Sequence, residues 1–217
     1  MQPSIKNILL LVGLLASIIA SAQEGDRSTP IESEFIIENV TLPGGTLANN
    51  VNSIVEGPNG FLWFGTHGGL IRYDGYEFVT YTNEIGDTIA PTTSLTFNYI
   101  EHLYWDQLDE LWVSTYGGGL YRFDPIIETF QHFTPDPKDT TSISNGRVMC
   151  VQEDANGTLW VSTESGLNRF NRKTKTFKHY YPFGRDNEID NTFRNIYVDK
   201  QEAVSYTHLT LPTTPYV

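Results

Sequence analysis

Tryptophan returns in this chain at a fixed interval and inside a fixed phrase. Trp63, Trp112 and Trp160 stand 49 and then 48 residues apart. The first copy reads Asn59-Gly-Phe-Leu-Trp63-Phe-Gly-Thr66-His-Gly-Gly-Leu70-Ile-Arg72-Tyr73-Asp74. The second reads Asp109-Glu-Leu-Trp112-Val-Ser-Thr115-Tyr-Gly-Gly-Gly-Leu120-Tyr-Arg122-Phe123-Asp124, and the third Asn156-Gly-Thr-Leu-Trp160-Val-Ser-Thr163-Glu-Ser-Gly-Leu167-Asn-Arg169-Phe170-Asn171. Each copy ends on an aromatic pair three residues apart: Phe78 and Tyr81, Phe130 and Phe133, Phe177 and Tyr180. Self-similarity at this period confines the chain to repeat architectures, in which each unit buries its faces against neighbouring copies.

Within a copy the periodicity is that of strands. Val51, Ser53 and Val55 alternate with Asn52, Ile54 and Glu56, and Asn59-Gly60 is a hairpin turn signal before Phe61 to Thr66. Gly68-Gly69 turns the chain again, and Asp74-Gly75 turns it once more into Phe78 to Tyr81. Four short antiparallel strands per period predict an all-β fold, a β-propeller of four-stranded blades. Kelch copies carry their glycine pair before the tryptophan, whereas here it follows, and no Trp-Asp pair ends a copy. The expected blades are 51–97, 98–147 and 148–190, with the start of a fourth at 191–202. Three copies do not close a ring of about 4–8 blades, so the propeller is expected to be incomplete here. Phe35 to Asn39, within the segment 23–50, has the character of a ring-closing strand near 35–40.

Trp63, Trp112 and Trp160 are expected to fill the space between blades, each burying roughly 150–250 Å². Arg72, Arg122 and Arg169 share one repeat position, which favours a structural hydrogen bond or salt bridge over a ligand role. Charged residues are only 18% and aromatics 13%, a composition of a folded domain. The net charge of −12 argues against nucleic acid as a partner. Met1 to Ala22 opens with Lys6, continues through an apolar run and closes on Ala20-Ser21-Ala22, the pattern of a secretory signal peptide. Its apolar run is short for a membrane span, which needs roughly 20 residues. The mature chain is therefore expected on the periplasmic or extracellular side, where the single Cys150 has no partner to mispair with inside the chain.

The copies resemble the two-component regulator propeller repeat. That phrase runs as an acidic-Gly turn, Leu-Trp, a small residue, Thr, Gly-Gly-Leu, Arg and an aromatic-Asp pair. Here it is met by Asn156-Gly157, Leu159-Trp160, Ser162, Thr163, Gly166-Leu167, Arg169 and Phe170-Asn171, with equivalents in the other two copies. The polar stretch Pro135 to Asn145 resembles the family's inter-blade connector. The departures are Glu110 where Gly is usual, an extra glycine in the second copy, and Glu164-Ser165 at the third tip. The resemblance implies the N-terminal part of a large periplasmic sensor of hybrid two-component or histidine kinase type. Further blades, a small sandwich domain, a membrane span and cytoplasmic output domains would follow. It also implies a small molecule or oligosaccharide as ligand, the remaining blades of the same chain as partners, and dimerisation of the complete sensor. The fourth copy departs from its register, which places Gly near 202 and Trp near 205 where Glu202 and Ser205 stand. Val204 to Thr213 resembles a translated transposon-end adapter, so residues 203–217 are expected not to be native. A coding sequence unrelated to any adapter would remove that expectation.

No catalytic arrangement rises above background: Gly-x-Ser-x-Gly, His-Glu-x-x-His and the phosphate loop are all absent. The histidines are scattered, so no catalytic residue, metal or cofactor is expected. Asp154-Ala-Asn156-Gly157 resembles the start of a calcium loop but lacks the later acids and reads as a turn. A ligand site is sought where copies differ. The residue after the shared Thr is His67, Tyr116 or Glu164, at a loop tip where binding residues collect. An aromatic there could stack on a sugar, and His67 and Glu164 could bond hydroxyls; the competing reading is neutral loop drift. Two further function classes stay open: a secreted propeller lyase or hydrolase, and an adhesion or scaffold propeller.

Overall fold

The computed structural model of the chain describes residues 40–82, 95–185, 191–198 and 204–208. The expected signal segment and the closing strand at 35–39 lie outside the described residues, as do 203 and 209–217 of the expected tail. The chain divides into two units, Met1–Val40 and Thr41–Val217, and every described element belongs to the second.

After one helical turn, α1 (Gly45–Ala48), the elements are strands. The first sheet is β1 (Val51–Glu56), β2 (Leu62–Thr66), β3 (Gly69–Tyr73) and β4 (Phe78–Tyr81). The second is β5 (Ile100–Trp105), β6 (Leu111–Thr115), β7 (Leu120–Asp124) and β8 (Thr129–Phe133), and the third is β9 (Val148–Glu153), β10 (Leu159–Thr163), β11 (Gly166–Asn171) and β12 (Thr176–Tyr180). Each pairs in chain order, antiparallel throughout. A fourth sheet consists of β13 (Phe193–Val198) and β14 (Val204–His208). This is an incomplete β-propeller. The first strands β1, β5, β9 and β13 pack successively against one another and form its inner side. In the fourth sheet Ser205 pairs with Tyr197, the register taken by Trp63 opposite Val55 and Trp112 opposite Tyr104.

The tryptophans lie at the seams between sheets. Trp63 packs on Tyr81 of its own blade and on Trp105 and Phe123 of the next, with ring centroids 5.9, 5.8 and 5.4 Å away. Trp112 repeats this with Phe133 at 6.0 Å and Phe170 of the third blade at 5.1 Å. Both are buried, while Trp160, beside Tyr180 at 5.6 Å, is half-buried. One hydrophobic cluster fills each seam.

The indoles are also tethered by their polar edge. Trp112 Nε1 donates to Asp106 at 2.7 Å and Trp160 Nε1 to Asp154 at 3.0 Å. The other oxygen of each carboxylate closes the β-turn ahead of the tryptophan, accepting the N–H groups of Leu108 and Glu110, or of Asn156 and Thr158. The resemblance to a calcium loop is thus a turn whose carboxylate is spent on the protein itself. Burial opposes ionisation of Asp154, but the Thr158 N–H, the Trp160 indole and the Asn156 N–H outweigh it and lower its pKa. Asp106 carries a further load: Arg172 bridges it at 2.8 Å, together with Glu153 at 2.8 Å and Glu110 at 3.4 Å. That cluster spans the second seam, where Glu153 also accepts the Gln107 N–H.

All four inner strands carry a bulge at their second residue. A bulge re-aims the next side chain, and here it turns that side chain toward the following blade. Ser53 Oγ accepts the Leu103 N–H at 3.0 Å, His102 Nδ1 accepts the Val151 N–H at 3.4 Å, and the Cys150 sulfur receives the Ile196 N–H. One repeat position therefore stitches inner strand to inner strand with three different side chains. Burial pushes the His102 imidazole down to about 4, so it is neutral in the native state.

Two predictions follow from these latches. Removing Asp106 strips the buried Trp112 indole N–H of its acceptor and Arg172 of one of its three carboxylates, so Asp106→Ala should cost about 2–4 kcal/mol. Asp154→Ala should cost only about 1–3 kcal/mol, because no arginine leans on it; chemical denaturation of the two variants checks the order. The unfolded chain protonates His102 near pH 6.5 while the folded chain resists until about 4. Its contribution is therefore complete above pH 6.5 and falls as acid is added, by at most about 3 kcal/mol. His102→Ser, which keeps the acceptor found in the first blade, should flatten that part of a stability–pH profile.

Candidate functional site

The candidate residues sit where each second strand ends and each inner strand begins, at one end of the blades. Their seats are built alike. The buried Thr66, Thr115 and Thr163 donate their hydroxyls to the carbonyls of Gly69, Gly119 and Gly166 at 2.8, 2.7 and 2.9 Å, closing the turn that follows. These glycines hold φ of 137°, 92° and 106°, in the left-handed region. At Gly119 a Cβ would lie 2.3 Å from the Phe133 carbonyl oxygen. The next backbone N–H after each threonine then bonds the residue preceding its own inner strand: His67 to Asn50, Tyr116 to Tyr99 and Glu164 to Arg147, at 3.1, 3.0 and 3.0 Å.

On that frame the three candidate side chains fall into one run across the blades. His67 of the first blade stacks on Tyr99 of the second, with centroids 3.9 Å apart and planes inclined by 21°. Tyr99 meets Tyr116 at 4.9 Å. The Arg147 guanidinium of the third blade lies 3.7 Å over the Tyr116 ring and pairs with Glu164 at 2.7 Å. Finally Thr192 of the fourth copy donates to the Glu164 carbonyl at 2.8 Å. Structure thus brings His67, Tyr116 and Glu164 together through two residues that sequence reasoning passed over, Tyr99 and Arg147. Both stand immediately before an inner strand, in the column Asn50, Tyr99, Arg147, Thr192, which varies as freely as the candidates do. Comparing that column across copies was the available signal.

The run is chemically mixed: two phenol rings, an imidazole, a guanidinium and a carboxylate. Tyr116 is 38% exposed, and the Glu164 side chain 45%. Glu164 is already engaged by Arg147, so a simple role as a free hydroxyl acceptor does not describe it. Among the described residues no group of three His, Cys, Asp or Glu could hold a metal ion.

The shared arginine position divides. Arg72 reaches across the first seam to Glu128 at 3.2 Å, and Arg122 stays in its own blade on Glu110 at 2.8 Å. Arg169 is exposed and makes no ion pair among the described residues. Each arginine faces the last turn of the following blade: Arg72 meets Glu128 there, whereas Arg122 meets Lys175 at the same left-handed φ and turns to its own blade, and Arg169 has no such turn beside it among the described residues. Tyr81 shares Glu128, and its hydroxyl is pushed up to about 12 by burial first, with the Arg72 charge opposing and the Glu128 carboxylate adding. Arg169 lines a cleft of about 490 Å³ with Phe177 and Lys178. In the second blade the equivalent groove beside Arg122 and Phe130 receives Lys175 from the third, so this cleft is an uncovered seam rather than a formed pocket.

The model of the two component regulator propeller family matches residues 45–68 and 142–165, segments that contain His67 and Glu164. The chain thus carries two segments that match the two-component regulator propeller repeat. Histidine kinase P4 of Formosa agariphila is 35% identical over 174 residues, 75% of this propeller chain, and the chain spans 12% of that relative's length. The extracellular domain of the hybrid two component system BT3049 from B. thetaiotaomicron superposes with a TM-score of 0.71 at 24% identity, over 81% of this chain and 24% of that one. Virginiamycin B lyase from Staphylococcus aureus, solved as a catalytically inactive variant with quinupristin, gives 0.54 at 15% identity, over 83% and 62%. At these identities the two structures share the fold. Among the described residues no helix of this propeller is long and apolar enough to cross a membrane.

The glycine seat yields a prediction for the loop that carries Tyr116. Gly119→Ala forces a Cβ onto a carbonyl oxygen at a positive φ, so it should destabilise the chain by more than about 1 kcal/mol. Thermal unfolding measures the loss. Gly75→Ala, also at positive φ but with nothing near its Cβ, should cost less.

Proposed function

We propose that this chain is the extracytoplasmic ligand-sensing propeller of a two-component signalling protein, and that the run His67–Tyr99–Tyr116–Arg147–Glu164 is its ligand face. The carrying observation is that residues varying between copies meet in one line across two seams, on turns that the threonine and glycine positions hold fixed. The histidine kinase relative supports a signalling parent, and the extracellular domain of similar fold supports a location outside the cytoplasm. Such a face suits a small molecule or oligosaccharide: the row of ring edges carries phenol and imidazole groups that can bond hydroxyls, and the ion pair supplies directional polar groups. Its imidazole is stacked on Tyr99 and its carboxylate paired with Arg147, an arrangement that favours a binding face over the proton transfers of a secreted lyase or hydrolase. A ligand lying across the run touches two or more blades at once. Its differential affinity for one seam packing over another would shift the balance between conformations, and that shift is what a linked kinase could read.

In the complete sensor, replacing His67, Tyr116 and Glu164 together by alanine should weaken the inducing ligand about tenfold or more, the loss of a few contacts at about 1.4 kcal/mol per decade. Titration of the signalling response against ligand checks this, and an unchanged midpoint places the site elsewhere.

A further inference from the structure

Resting on the ligand-face reading above, the geometry points to a narrower assignment. We infer that Arg147 is the anion-binding residue of this face, that its ligand class is a sugar ring bearing a carboxylate, and that Glu164 is the internal carboxylate such a ligand displaces. A guanidinium carries five N–H donors in a planar fork suited to a two-pronged acceptor. Among the described residues only Nη1 is spent, on Glu164 Oε1 at 2.7 Å, and the buried Nε meets no hydrogen-bond partner. An unpaired buried donor on a charged group is costly; it persists here because the Tyr116 ring beneath, at 3.7 Å, holds the guanidinium flat. The one acceptor present is on a side chain that is 45% exposed and so can swing away at small cost.

The surroundings supply the rest of the ligand's shape. Tyr116, Tyr99 and His67 lead away from Arg147 as successive rings 4.9 and 3.9 Å apart. Their faces are taken up by one another and by Arg147, so the row offers ring edges, with their phenol and imidazole polar groups, to the hydroxyls of a pyranose whose carboxylate end is set by Arg147. The chain as a whole carries −12, so its long-range field repels anions and only a local cation can hold one. Arg147 is the single cation of the run. Arg147 stays paired with a carboxylate throughout, Glu164 swings into solvent still ionised, and no proton or covalent bond changes hands.

The 217-residue chain can be titrated calorimetrically with glucuronate and galacturonate and with their neutral twins, glucose and galactose. The acids should bind about tenfold or more tightly than the twins. Arg147→Met should abolish that preference and Arg147→Lys, which keeps charge but not the planar fork, should restore only part of it. Glu164→Gln should strengthen acid binding, because it removes the competitor; a residue that merely supported the fold would not act in that direction. Circular dichroism of each variant reports folding. Equal affinity for acids and twins, weaker acid binding in Glu164→Gln, or no acid binding at all overturns the inference. In the first two cases the ligand-face reading still stands, since that is judged by the triple-alanine response of the complete sensor.

Discussion

A sheet of four short strands has two apolar faces and no means of burying either by itself. Everything else in this chain answers that constraint. Leu103, Val151 and Ile196 occupy one inner-strand position and are nearly inaccessible, at 1%, 0% and 6%, because a preceding blade covers them; Ile54 at the same position in the first blade is 58% exposed. The indole repeats because a seam between twisted sheets needs a large flat body at constant depth, and its N–H needs an acceptor that does not interrupt the apolar contact. Asp106 and Asp154 supply this from the turn just outside the seam.

The first seam fills the same space differently, and leaves the buried Trp105 Nε1 without an acceptor among the described residues. Gly57 stands where Asp106 and Asp154 stand, and the indole of Trp105 fills the vacated volume, 5.8 Å from Trp63. A Cβ on Gly57 would lie 3.0 Å from both indoles. In the second seam the position of Trp105 is taken by Glu153, which needs Asp106's neighbour Gln107 and the arginine at 172. One seam is therefore closed by aromatic volume and the next by a buried ionic cluster. Each solution involves residues from two blades, so exchanging a single residue between copies would break both. The ionic version is the more fragile, since losing one member strands the others, whereas the aromatic version degrades by volume.

The strands, their order and the tryptophan seams were legible in the sequence because they follow from spacing and alternation alone. The bulge at Asn52, Glu101, Met149 and Arg194 was not, since alternation continues smoothly through it; only pairing with the second strand reveals the extra residue. For the same reason Ser53, His102 and Cys150 were invisible as one position with one duty. They share no chemistry except the capacity to accept a hydrogen bond. Arg172 was overlooked because the first two copies have Gly75 and Pro125 there, so no repeat signal marks it. Arg72, Arg122 and Arg169 do not share one partner, because the facing turn of the next blade changes from Glu128 opposite Arg72 to Lys175 opposite Arg122, a dependence between blades that a within-copy comparison does not test.

The same logic explains why the candidate face could be located before its partners were. A column that varies inside an otherwise constant repeat is released from the scaffold's demands, and the turn closed by threonine and glycine keeps that column in place whatever occupies it. Tyr99 and Arg147 belong to a second such column, and the two columns interleave because each residue of one lies beside a residue of the other across a seam. Variation in either alone would give isolated side chains. Only when both carry rings or complementary charges does a continuous surface form, and here it does so from His67 to Glu164. Any ligand that uses this surface must therefore hold adjacent blades in one register, which links occupancy of the face to the packing of the indoles beneath it.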